Sequence, residues 1–243
     1  MSYLLIIGAK SDIAKEVAKV YAKNGYNLYL AGRNIQELQG LASDIQIRND
    51  VEVKLQEFDV TDFEAHKSFY DSLEVKPLGV VVVSGYMEER KECEIDWEKS
   101  FNTINVNYTG VVSILNIIAN DFELRKSGFI IGVSSVAGDR GRKANYIYGS
   151  SKSALSAYLS GLRNRLFVSG VQVLTVKPGF VATKMTKGLD LPAKLTAEPE
   201  DVAQDIFVAQ QKGKDVLYTK SIWRFVMLII KHIPEAIFKK MSI

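Results

Sequence analysis

Tyr148 and Lys152 stand four residues apart, and Ser135 lies thirteen residues before the tyrosine. Positions i and i+4 share one face of a helix, so this spacing sets a phenol beside an ammonium. A neighbouring cation favours the phenolate and lowers the tyrosine pKa toward the working range. Such a phenol can give its proton to a carbonyl oxygen as hydride reaches the carbonyl carbon. Ser135 can hydrogen-bond that oxygen and stabilise its developing charge. Tyr146 has Ser150 rather than a cation four residues on, so it lacks this partner.

Three side chains from distant parts of the chain meet only if the elements between them bring them together. Short apolar runs at 3–7, 27–31, 51–58, 78–83, 129–134, 171–176 and 216–218 read as strands. Helical patterns fill most of the intervals: 13–21, 34–48, 63–73, 97–126, 145–169 and 200–211. Val80–Val83 is an unbroken Val run, which suits a strand covered on both faces. The alternation predicts a Rossmann-like, doubly wound α/β fold of about seven parallel strands with helices on both faces. Residues 1–219 would form the catalytic domain and 220–243 a basic amphipathic helical tail. Segment 181–199 has no clear period and is long for a loop, as lids often are.

The turn Gly8-Ala9-Lys10-Ser11-Asp12-Ile13-Ala14 joins the first strand to the first helix. There, backbone N–H groups and a helix N-terminus can face a pyrophosphate. Only Gly8 of the usual three glycines is present. Asp12 would repel a phosphate unless it turns aside, for instance to cap the helix. The second strand ends at Arg33, where a NAD site usually offers an acid to the ribose 2′-OH. A guanidinium matches a 2′-phosphate instead, and Lys10 adds a second cation, which predicts NADPH/NADP+ over NAD(H). Asp59-Val60 follows the third strand and could hold the adenine edge, or Asp59 could cap a helix.

Composition narrows the alternatives. The chain has 243 residues, 47% of them apolar, enough for one sizeable core. One cysteine, Cys93, leaves no internal disulfide and fits a reducing compartment; it has no base motif beside it. Two distant histidines, His66 and His232, make a His-based metal centre improbable, and His66 reads as a helix-surface residue. No signal peptide or spanning segment is expected. Net charge is +3, too small by itself to suggest nucleic acid. Residues 220–243, however, hold five Lys or Arg against one acid. Lys220, Arg224 and Lys231 fall on one helical face, with Trp223, Val226, Met227 and Ile230 opposite. That tail suits an anionic membrane surface; equally, its apolar face could pack on the body or on a second subunit. Arg140, Arg142 and Lys143, just before Tyr148, could receive a substrate phosphate or form a solvated basic loop.

Over nearly its whole length the chain resembles the short-chain dehydrogenase/reductases, on Gly8–Ala14, Asp59-Val60, Asn107, Ser135, Tyr148, Lys152 and Pro178-Gly179. The resemblance implies a seven-stranded sheet and four catalytic roles. Tyr148 would be the acid/base, Lys152 would bind the nicotinamide ribose and tune the tyrosine, and Ser135 would hold the substrate oxygen. Asn107 would anchor a proton-relay water, its spacing to Ser135 suiting the family better than that of Asn105. The implied cofactor contacts are Gly8, Lys10, Ser11, Asp12, Ile13, Arg33, Asp59, Val60, Ser84 and Gly85, with Tyr148, Lys152, Pro178, Gly179, Val181 and Thr183 around the nicotinamide. Ser84-Gly85-Tyr86 departs from the family's usual Asn-Ala-Gly.

A closer resemblance rests on Asn107-Tyr108-Thr109, on Ser134–Lys152 and on the tail. It points to reductases of a polyprenyl-phosphate-linked 2-keto-pentose, the second step of a ribose-to-arabinose epimerisation in cell wall polysaccharide synthesis. It implies a partner oxidase that makes the keto-sugar; the wider family resemblance implies a homo-oligomer, and the expected location is cytoplasmic, peripheral on the inner face of the membrane. The alternatives are a short-chain reductase of another ketone (a keto-steroid, a 3-oxoacyl thioester or a soluble keto-sugar) and a non-catalytic NADP(H)-sensing protein.

Overall fold

The computed structural model describes residues 1–188 and 190–241. Its elements run β1 (Tyr3–Ile7), α1 (Asp12–Lys23), β2 (Asn27–Gly32), α2 (Gln39–Asn49), β3 (Val53–Glu57), α3 (Ala65–Ser72) and β4 (Gly79–Val82) in the first half. The second half continues with α4 (Arg90–Ile95), α5 (Trp97–Ile104), α6 (Gly110–Arg125), β5 (Phe129–Val133), α7 (Tyr146–Leu166), β6 (Gln172–Pro178), β7 (Phe180–Val181), β8 (Thr196–Ala197), α8 (Pro199–Gln211), β9 (Val216–Thr219), α9 (Ile222–His232) and α10 (Glu235–Phe238).

Seven strands form one sheet in the order β3-β2-β1-β4-β5-β6-β9, each pair parallel. This is the doubly wound sheet that the alternating pattern predicts. Successive side chains of a strand point to opposite faces. Leu4 and Ile6 therefore pack with Val17, Ala18 and Ile206 from α1 and α8, while Leu5 and Ile7 pack with Ile114, Ile118 and Leu159 from α6 and α7. Burial on both faces explains why β1 and the Val run of β4 carry no polar alternation.

Three local departures from the sequence pattern bear on the site. The helical stretch after Trp97 is interrupted by a π-helical turn at Asn105–Thr109 between α5 and α6. Such turns often mark functional positions. The segment 181–199 is not structureless: β7 and β8 pair in a second, two-stranded sheet. Finally, the tail's apolar side lies on the body, where Trp223 and Met227 are buried with Val136, Phe180, Leu195 and Tyr218. Trp223 Nε1 donates to the Leu195 carbonyl at 3.0 Å, so this contact has a directional component as well. Arg140 fastens the far end. It donates to the carbonyls of Ile230 and Ile233 at 2.6 Å each, pairs with Glu235 at 2.8 Å, and stacks over Phe238. The carbonyls at a helix C-terminus lack intrahelical partners and carry partial negative charge, which a guanidinium satisfies.

Candidate active site

The strand order reverses between β1 and β4. In open α/β sheets the crevice outside the carboxyl ends at such a point is where ligands bind. Here a cleft of about 960 Å³ opens at that place. Of the catalytic and cofactor-contact residues expected from the sequence, all line this cleft except Asn107, which lies one layer behind it.

At one end is the first turn. Gly8 has φ +81°, and a Cβ there would stand 2.7 Å from the Ser84 backbone nitrogen. Both the left-handed backbone and the close approach of β1 to β4 demand glycine. Ser11 takes the cap position of α1 without capping it through its side chain. The first N–H groups of α1 are thus left facing the cleft, the arrangement that favours an anion. Asp12 does turn aside, but not to cap the helix: its carboxylate accepts from the Lys184 N–H at 2.8 Å and ties the loop after β7 to this turn. These features fit the pyrophosphate of a dinucleotide.

Beyond the turn, Arg33 is well exposed, its Nη1 3.9 Å from Asp59 Oδ2. Burial pushes the Asp59 carboxyl up, but hydrogen bonds from the Thr61 N–H and hydroxyl, aided by Arg33, outweigh it and hold the pKa below its ordinary value. Asp59 thus closes an Asx turn and does not cap α3, whose cap position is Glu64. Lys10 is not an idle second cation: it pairs with Glu37 at 2.7 Å. His66 is fully buried, not on the surface. Its ring meets the Ser113 hydroxyl at 2.9 Å and the Asp59 carbonyl at 3.3 Å, and burial lowers its pKa.

At the other end Ser135, Tyr148 and Lys152 converge. Ser135 follows β5; its Oγ accepts from the Ala137 N–H at 3.1 Å and its hydroxyl donates toward the Tyr148 oxygen. Tyr148 is half-buried on the first turn of α7. Lys152 is buried one turn on, its Nζ donating to the Val133 carbonyl at 3.1 Å and the Ser84 carbonyl at 3.4 Å. The lysine therefore turns toward two strand ends, and its Nζ stands 5.8 Å from the tyrosine ring centre. This corrects the electrostatic expectation. Burial pushes Tyr148 up to about 12, opposed by a hydrogen bond with Ser135, and it lowers Lys152 to about 8. Desolvation disfavours both charged forms and is the first cause of each shift.

Two supporting residues, Ser134 and Gly138, escaped the sequence motif, whereas Asn107 was expected. Ser134 donates to the Lys152 carbonyl at 2.8 Å and meets Ser156 Oγ at 2.7 Å, which pins α7 to the end of β5. Gly138 lets the turn after Ser135 press onto α7, since a Cβ there would lie 2.7 Å from the Lys152 backbone. Asn107, in the π turn, donates to the Tyr86 carbonyl at 2.6 Å and the Thr103 carbonyl at 2.8 Å, and accepts from the Tyr86 N–H at 3.3 Å. It fixes the loop 84–86 from behind. Small residues and hydroxyls in these places were visible in the sequence, but nothing in their spacing distinguished them.

The buried ammonium has a measurable cost. Burial lowers Lys152 to about 8, so its ammonium carries a desolvation penalty on the order of 3 kcal/mol. The penalty applies in full below about pH 8. As pH rises toward 10.5 the unfolded chain still binds a proton that the folded chain has shed, so stability recovers. Lys152→Met should therefore raise the Tm by several degrees at pH 7 and by progressively less up to pH 10.5, in thermal melts at stepped pH. An unchanged or lowered Tm at pH 7 would show that the two carbonyl contacts outweigh the desolvation.

A Rossmann-like sheet, a glycine turn at its switch point and a Ser–Tyr–Lys cluster facing the same cleft define a class. The short chain dehydrogenase family model matches residues 2–193, and the chain belongs to that family. An uncharacterized oxidoreductase of Mycobacterium tuberculosis is 33% identical over 241 residues, spanning 98% of this chain and 96% of that protein. Another from Myxococcus xanthus is 32% identical, over 84% and 82% of the two chains. Among solved structures, a short-chain dehydrogenase from Sphingobium yanoikuyae in complex with NADPH superposes with a TM-score of 0.83 at 21% identity, covering 97% and 98%. A 7beta-hydroxysteroid dehydrogenase gives 0.85 at 22% identity, covering 95% and 92%. At these identities the superpositions establish the fold. No described helix is long and apolar enough to cross a membrane, and no described cluster of His, Cys, Asp or Glu would hold a metal ion.

Proposed function

We propose that this protein is an NADPH-dependent carbonyl reductase in which Tyr148 is the general acid. The observation that carries this is the placement of Ser135, Tyr148 and Lys152 on one wall of the same cleft that Gly8 and Arg33 line. When bound, the dinucleotide supplies the hydride. Gly8, Ser11, Ile13 and the start of α1 hold its pyrophosphate, Arg33 and Lys10 its 2′-phosphate, and Asp59 and Val60 its adenine. Ser84, Gly85, Pro178, Gly179, Val181 and Thr183 position the nicotinamide end. The short-chain dehydrogenase from Sphingobium yanoikuyae, solved in complex with NADPH, supports that choice.

Ser135 turns its hydroxyl proton from the Tyr148 oxygen to the substrate oxygen when the ketone is bound. Tyr148 gives that oxygen a proton, which its raised pKa keeps in place at neutral pH. Lys152, its own proton loosened by burial, returns one to the tyrosine. Asn107 keeps the 84–86 loop rigid beneath them and would hold a relay water.

For the substrate we propose a polyprenyl-phosphate-linked 2-keto-pentose, delivered by a partner oxidase at the inner face of a membrane. The tail supports it. Ile222, Phe225, Leu228 and Ile229 of α9 are exposed beside Arg224 and Lys231, an apolar stripe with a basic edge. The test of the whole reading is NADPH oxidation by a panel of ketones: a prenyl-phosphoryl 2-keto-pentose, a keto-steroid, a 3-oxoacyl thioester and soluble keto-sugars. The prenyl-linked sugar should give the highest kcat/KM; another ketone turned over faster would replace it, and none turned over would remove the reductase assignment. The membrane component predicts co-sedimentation with anionic liposomes at low salt, lost when 221–243 are deleted. Full-length protein that stays in the supernatant refutes it.

A further inference from the structure

Resting on the reductase reading, we infer that Arg142 and Asn145 form a seat for an anionic phosphate ester group of the substrate. The loop between β5 and α7 carries two guanidiniums with opposite fates. Arg140 is fully engaged by the tail. Arg142 lines the catalytic cleft beside Tyr148, and its Nε is buried without a hydrogen-bond partner among the described residues. The Oδ1 of Asn145, lining the same wall, is likewise buried and unpaired among them.

Among the described residues, the acid that attracts Arg142 is already taken. Asp139 accepts from Lys177 Nζ at 2.5 Å and from the Tyr218 hydroxyl at 2.7 Å, and reaches Arg142 only through a longer-range attraction. Burial consequently lowers the Arg142 pKa. Buried polar atoms without partners are rare in folded proteins, and a desolvated, unpaired cation is costly. The Arg142 Nε donor and the Asn145 Oδ1 acceptor, on one wall of one cleft, match a phosphate oxygen and an adjoining hydroxyl. The seat is also fixed relative to the chemistry. The Asn145 N–H donates to the Arg142 carbonyl at 3.1 Å, and the Asn145 carbonyl accepts from the Gly149 N–H at 2.7 Å, locking the loop onto the first turn of α7 where Tyr148 stands. A phosphate held there would orient the substrate ketone without touching the reacting atoms.

The same phosphate chemistry occurs in a lipid-linked diester and in a soluble monoester, so the test carries both. Binding to the NADP+-loaded full chain is measured by calorimetry with D-ribulose, D-ribulose 5-phosphate and a farnesyl-phosphoryl 2-keto-pentose, alongside NADPH oxidation with each. One ester should bind at least about 30-fold tighter than D-ribulose, the strength of a charge-assisted hydrogen-bond pair. In Arg142→Met that ratio should collapse, with NADP+ affinity unmoved and the Tm unchanged or raised, and Arg142→Lys should recover part of it. Preference for the diester identifies a lipid source, and preference for the monoester a soluble one. The seat is refuted if neither ester outbinds D-ribulose, if Arg142→Met keeps the ratio, or if it loses NADP+ affinity in proportion, which would give Arg142 to the dinucleotide. Arg142-dependent ester binding without NADPH oxidation would uphold the seat while removing the reductase assignment.

Discussion

Replacing Tyr148 by Phe should lower kcat by about 10³-fold or more in the NADPH oxidation assay, while NADPH binding, followed by fluorescence, changes less than about threefold. The phenol hydroxyl keeps its proton at neutral pH because burial raises its pKa to about 12, and its neighbour Ser135 hydrogen-bonds to it. Phe preserves the ring that packs at the head of α7 and removes only the proton. Binding should survive because the pyrophosphate turn at Gly8 and the cation at Arg33 lie at the opposite end of the cleft. Retention of a tenth of the wild-type kcat would show that another group, or water, delivers the proton, and the Ser–Tyr–Lys assignment would fail with it.

Arg33→Asp should change the NADPH-to-NADH ratio of kcat/KM by about 100-fold in favour of NADH. A 2′-phosphate brings two negative charges to the end of β2, where the guanidinium is exposed and faces Asp59 at 3.9 Å. In the variant two carboxylates would share that spot and repel the phosphate, whereas a 2′-hydroxyl could donate to either of them. Lys10 cannot compensate fully, because Glu37 holds it. Arg33→Gln separates the contributions: it removes the attraction without adding repulsion, so its ratio should fall between wild type and Arg33→Asp. A ratio unchanged in both variants would return Arg33 to the ordinary status of a solvated surface residue.

The alternation of apolar runs and helical patterns was enough to anticipate the parallel sheet, because β1 and β4 are buried on both faces and can tolerate no polar residue. The i, i+4 spacing likewise set Tyr148 beside Lys152, since helix geometry is local. The electrostatics were not legible in the same way. Whether Lys152 lowers the tyrosine pKa depends on where its Nζ points and how much water remains, and both were decided by the ends of β4 and β5. Lys10 and Glu37, 27 residues apart, could not be paired from spacing, nor could Asp12 be matched to the Lys184 N–H across 172 residues.

The tail makes the division plain. Its basic and apolar periodicity was written in the chain, and so was the presence of Arg140, Arg142 and Lys143 together before Tyr148. Only the folded molecule assigned these arginines: Arg140 to the carbonyls ending α9, Arg142 to the cleft. Local sequence sets the period of an element and the chemistry it carries, because those depend on a few neighbouring bonds. Which charges are paired and which are left desolvated depends on partners brought close by long-range packing, and that is set by the tertiary structure alone.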